Sequence, residues 1–232
     1  MRGKKASVRL LQEIVRPKID RAFIQRALRN AGEAGRIYRL VEEKEPATFD
    51  AIVEVMATNF RSGATQEQVM ILMREQFVER ISKPRMKFLA DEHLLELYQL
   101  FVEMVDQLAQ TNPTMCLAMT QGKPFGDLRP YVSADVGRRE LALMERMLET
   151  RPRQFTLLPA ARLQEINTKV AMALYAIHGS AIEVLDPTKQ TPGREKAACV
   201  MFGEYLKNVL RLPKGEATAL LRAMIVDPAR LG

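Results

Sequence analysis

The chain has 232 residues, 47% of them hydrophobic and 6% aromatic, with no Trp. That length allows one generous domain or two small ones with a substantial core, built from Leu, Ile, Val, Ala and the 13 Met, which fill irregular gaps between helices. The formal net charge is +7. No uncharged apolar run reaches the roughly 18 residues that a membrane span needs, and two Cys with two His make neither a disulfide framework nor a common zinc site.

The charge is unevenly placed. Residues 1–30 hold nine Lys or Arg (Arg2, Lys4, Lys5, Arg9, Arg16, Lys18, Arg21, Arg26, Arg29) against Glu13 and Asp20, while the rest of the chain holds 26 basic and 26 acidic residues. The high isoelectric point therefore belongs to an N-terminal arm, expected over 1–30, and residues 31–232 are expected to form a single helical domain. The arm lacks the apolar stretch of a secretory signal, although its acid-poor, Arg-containing start resembles an organelle presequence. The expected compartment is the cytoplasm, with a signal or anchor upstream left open.

Along the chain, Val8, Leu11, Val15, Ile19, Ala22 and Ala27 recur at helical spacing that Pro17 interrupts. Gly32 and Gly35 loosen the next turn, before a short helix through Tyr38 and Leu40. Pro46 suits the first turn of a helix whose stripe is Phe49, Ile52, Val53, Met56 and Phe60, with Gly63 to end it. Thr65 and Gln68 have capping-box spacing ahead of Val69, Leu72, Met73, Phe77 and Ile81. Asp91 reads as the N-cap of a one-faced helix to about Gln110, with Leu94, Leu97, Phe101, Val105 and Leu108 inward. A short helical turn follows Pro113.

Residues 120–132, with two Gly and two Pro, form a loop. Ser133 caps a helix to about Thr150, and Pro159 opens another expected to reach Leu185. From Val170 to Ile182 that helix has no charge on any face, and a helix apolar all round is buried. It is taken as the central helix. Thr191-Pro192 starts a helix to about Arg211, and the last follows Pro213. The pattern predicts an all-α fold, an irregular orthogonal or bundle-like assembly of about seven to nine helices around a buried helix near 160–185.

The compact catalytic signatures are missing: there is no phosphate-binding Gly-Lys loop, no G-x-S-x-G, no H-E-x-x-H and no C-x-x-C. Asp91, Glu92, His93 and Glu96 are the nearest thing to a metal cluster, but acids also favour a helix's first turn, and a di-iron bundle needs a second Glu-x-x-His. Met115, Cys116 and Met119 place three sulfurs on one turn, a set that suits Cu(I) but also plain packing. His178 and Ser180 read as buried structural residues. Cys116 and Cys199 form a bridge if the compartment is oxidising. No metal and no cofactor are expected.

Two segments are candidates for binding. In the 120–132 loop, Lys123, Phe125, Asp127, Arg129 and Tyr131 set aromatics beside charges, with the rings either anchoring a partner or pinning the connector. In the arm, Lys4, Lys5, Arg9, Arg16, Lys18 and Arg21 suit a polyanion. The expectation is a non-catalytic protein-interaction or regulatory module of bacterial type, with a protein partner or a second copy. The alternative is nucleic-acid or anionic-membrane binding through the arm. An enzyme whose site is assembled from distant residues is a third reading.

Overall fold

A computed structural model describes residues 20–123, 125–150, 154–189 and 191–231. Among the described residues every regular element is helical and none is a strand, so the protein is all-α, with slightly more helices than expected. The chain divides into two compact units between Arg74 and Glu75.

In the first unit, α1 (Arg21–Arg29), α2 (Glu33–Lys44) and α3 (Pro46–Arg61) pack on one another. Asp20 starts α1 by accepting the Phe23 N–H at 2.8 Å. Phe49, Ile52 and Val53 are buried on the stripe that the spacing predicts, whereas α1 buries Ile24 and Leu28 in place of the expected Ala22 and Ala27, which are exposed, and α2 buries Ile37 and Val41 beside Tyr38. Gly35 does more than loosen a turn: a Cβ there would lie 2.5 Å from the Arg29 carbonyl oxygen, so only Gly lets the end of α1 come this close. The capping box at Thr65 is formed. Thr65 Oγ1 accepts the Gln68 N–H at 3.2 Å, and Gln68 Oε1 accepts the Thr65 N–H at 2.9 Å. It opens α4 (Gln66–Phe77), whose Met73 sulfur receives the Tyr38 hydroxyl at 3.2 Å.

In the second unit, a π-helical stretch over Val78–Ser82 leads into α5 (Lys83–Met86). There follow α6 (Asp91–Thr111), α7 (Pro113–Thr120), α8 (Ala134–Glu149), α9 (Ala160–His178), α10 (Glu195–Leu210) and α11 (Lys214–Val226). At its centre are α6 and α10, not the helix near 160–185. Helix α6 buries Leu94, Tyr98, Leu100, Val102, Met104, Val105, Leu108 and Ala109, more than the single face expected of it. It touches α7, α8, α10 and α11. Gly203 lets α10 approach, since a Cβ there would come within 3.1 Å of Val105 Cγ1.

The central-helix expectation for 160–185 is corrected in two respects. Gly179, at φ +55°, ends α9 at His178 by donating its N–H to the Tyr175 carbonyl, and the chain continues as a 3-10 segment over Gly179–Leu185. Helix α9 also buries one stripe only, Leu163, Ile166, Val170 and Leu174. Lack of charge permits burial but does not compel it. Two expected caps are corrected as well. Asp91 is inside the first turn of α6, after an Ala90 N-cap, and its carboxylate accepts from Arg222 instead of capping the helix. Thr191 lies ahead of a turn, and α10 begins only at Glu195.

Candidate functional site

Cys116 on α7 and Cys199 on α10 are joined as a disulfide, with Cα atoms 6.0 Å apart and 83 residues between them in sequence. Both are fully buried, and both sulfurs lie 3.7 Å from the Val105 carbonyl oxygen of α6. The bridge thus ties α7 and α10 together over the centre of the second unit. In the Met115, Cys116 and Met119 set, Cys116 is half of a disulfide, and Met119 is buried in the same core with Met115 packed against it.

Beside the bridge lies a pocket of about 450 Å³, lined by Leu117, Thr120, Gln121, Lys123, Leu185, Ala198 and Phe202. Its walls follow from the sequence around the cysteines. Leu117 follows Cys116, and Ala198 precedes Cys199, so the same helical turns that bury the sulfurs present their neighbours to the opening. The Thr120 hydroxyl is committed to the Leu117 carbonyl at 3.0 Å.

The predicted loop residues do not converge on one point. Lys123 reaches the pocket lining. Phe125 and Tyr131 are half-buried and pack against the core, which favours the pinning role, and the fully seated anchor is Leu128, which loop composition did not single out. Asp127 and Arg129 hold each other: Arg129 Nη2 donates to Asp127 Oδ2 at 2.7 Å, and the Arg129 N–H donates to Oδ1 at 3.0 Å. The Asp127 carboxylate raises the Arg129 pKa through that hydrogen bond first and its charge second.

Of the arm residues, Lys4, Lys5, Arg9, Arg16 and Lys18 lie outside the described residues. Arg21 is engaged at 2.8 Å with Asp50 and at 3.0 Å with Glu54. The acids at the start of α6 are engaged too: Asp91 by Arg222, Glu96 by Arg146, and Glu92 lies 3.9 Å from Lys214. Among the described residues no group of His, Cys, Asp and Glu is arranged to hold a metal, and no helix is long and apolar enough to cross a membrane. His178 and Ser180 are not the buried pair expected. His178 is half-buried at the end of α9 and Ser180 is exposed at the start of the 3-10 segment, whose Val184 is the residue that returns to the core.

A surface the sequence reading assigned to the interior is the outer face of α9. Met172 is 68% exposed, Tyr175 58% and Ile177 65%. Ala173, Ala176 and Ala181 are exposed around them. Met172 and Tyr175, three residues apart, share one side of the helix, whereas Ile177, two residues beyond Tyr175, projects from another side near the helix end. No known protein family, no characterised protein and no solved structure matches this chain.

Proposed function

We propose that this protein is a non-catalytic helical protein-interaction module whose contact face is the outer side of α9, and that the occupant is a second copy of the chain. The carrying observation is the exposure of Met172 and Tyr175 on one side of an uncharged helical stretch, with Ile177 exposed at its end. A surface without charge suits an apolar protein face and gives a polyanion nothing to bind. A two-fold pair of identical faces sets like against like, and between Val170 and Ile182 there is no charge to repel its own copy. The exposed alanines leave room for a second helix to approach. Substituting Tyr175→Glu and Ile177→Glu together places charge on exposed positions, so the fold is expected to survive while self-association is lost.

The second reading, binding of nucleic acid or an anionic membrane through Lys4, Lys5, Arg9, Arg16 and Lys18, rests on the concentration of the whole charge excess in residues 1–30. Salt titration of DNA, RNA and anionic vesicle binding, with and without residues 1–16, tests it. A cytoplasmic setting is opposed by the Cys116–Cys199 bridge, because cytosolic thiols are kept reduced. We place the bridged form in an oxidising compartment.

A further inference from the structure

The pocket beside the bridge has the chemistry of a small-ligand site. Its volume, about 450 Å³, falls within the roughly 300–1,000 Å³ of such sites. Four of its lining residues are apolar: Leu117 from α7, Ala198 and Phe202 from α10, and Leu185 from the 3-10 segment after α9. Lys123 is the one charged residue in the lining, and no acid accompanies it. It is exposed and enters no ion pair among the described residues. The two main walls are held at fixed separation by the Cys116–Cys199 bridge, so the opening is preformed and does not need to be assembled by its ligand.

We propose that this pocket binds a single-chain alkyl carboxylate, with the chain against Leu117, Leu185, Ala198 and Phe202 and the carboxylate paired with Lys123. An apolar slot with one cation at its rim selects this class over neutral alcohols, which leave the ammonium without a counter-ion. It rejects alkylammonium ions, which bring a like charge to Lys123. The proposal is independent of self-association through α9.

Calorimetric titration of the full-length oxidised protein with sodium octanoate and sodium decanoate tests it. Each added methylene buried in the pocket is expected to tighten binding about fourfold. Lys123→Gln is expected to weaken decanoate about three- to fivefold, as loss of an exposed ion pair does, and to leave 1-octanol binding unchanged. Thr120→Phe, which adds bulk at the mouth, is expected to weaken decanoate and 1-octanol together, with circular dichroism confirming the fold. If Thr120→Phe does not fold, the exposed Lys123→Gln still decides. Absence of decanoate binding, equal binding of decyltrimethylammonium, or affinity unchanged in Lys123→Gln overturns the proposal. So does binding lost in Tyr175→Glu/Ile177→Glu but kept in the pocket variants, which places the alkyl chain on α9.

Discussion

Arg222 of α11 sets its Nη2 2.7 Å from Asp91 Oδ1 in the first turn of α6. The same guanidinium donates to the Leu89 carbonyl at 2.9 Å and the Lys87 carbonyl at 3.2 Å, and it stacks 3.6 Å over the Phe155 ring. Arg222 is 4% exposed. One buried side chain therefore fastens the last long helix to the loop and helix start that precede the centre of the unit.

Removing that side chain leaves two carbonyls and a carboxylate without their donor. Arg222→Ala is expected to cost about 3–5 kcal/mol in urea unfolding. Arg222→Lys restores the charge but not the planar fork that serves three acceptors, so it is expected to recover only part. A loss below about 1 kcal/mol for Arg222→Ala would show that the other contacts of α11 suffice.

The bridge joins positions 83 residues apart, a loop long enough that cross-linking removes about 4.5 kcal/mol of denatured-state entropy on the chain-entropy view. Cys116→Ala/Cys199→Ala is expected to lower stability by about 2–5 kcal/mol. Because both sulfurs are inaccessible, dithiothreitol is expected to leave the bridge intact in the folded protein and to cleave it once denaturant is present. Alkylation followed by mass measurement reads this directly. Rapid labelling under native conditions would mean that α7 and α10 separate readily.

Burial holds three phenols in their neutral form. The Tyr38 and Tyr205 pKa values are pushed up to about 12, and that of Tyr98 is raised further, with burial the largest cause in each. A raised folded value means that the stabilisation is complete below the unfolded value near 10 and is lost as pH climbs toward the folded values. Stability is therefore expected to fall between about pH 10 and 12, and absorbance at 295 nm is expected to show these phenols ionising together with loss of helix by circular dichroism. Ionisation of all five tyrosines near pH 10 with the helices intact would contradict this packing.

Much of the fold is legible in the residues, and the places where it is not have physical causes. Pro46, Pro113 and Ser133 mark the starts of α3, α7 and α8 because their effects are local: a fixed φ or a hydroxyl aimed at a nearby N–H. The roles of α6 and α9 are exchanged because burial depends on what lies opposite. Glu92, Glu96, Glu103 and Asp106 make α6 look one-faced, yet Arg139 and Lys207 reach Glu103 and Asp106 at 2.8 and 2.9 Å across the helix edges. Helix α9 has no charges to show which side is wet. The end of α9 is marked by Gly179, whose positive φ stops the helix although the apolar pattern runs on past it.

The site was less accessible than the fold. Lys123 stands out in sequence only as a charge of the 120–132 loop and lies in the lining, while Leu117, Leu185, Ala198 and Phe202 carry no chemical mark and meet only through tertiary packing. Asp127 and Arg129 look like a binding rim in sequence and neutralise each other in space. The possible pairing of Cys116 with Cys199 is visible from composition, whereas its position behind the pocket is not.

Sedimentation equilibrium of the full-length chain across micromolar concentrations, beside Tyr175→Glu/Ile177→Glu, tests the assignment of α9 as the contact face most directly. The wild-type mass is expected to rise from 26.3 kDa toward twice that value, while the double variant stays at the monomer mass with an unchanged helical spectrum. A wild-type chain that remains at 26.3 kDa throughout, or a variant that associates as the wild type does, would contradict the account.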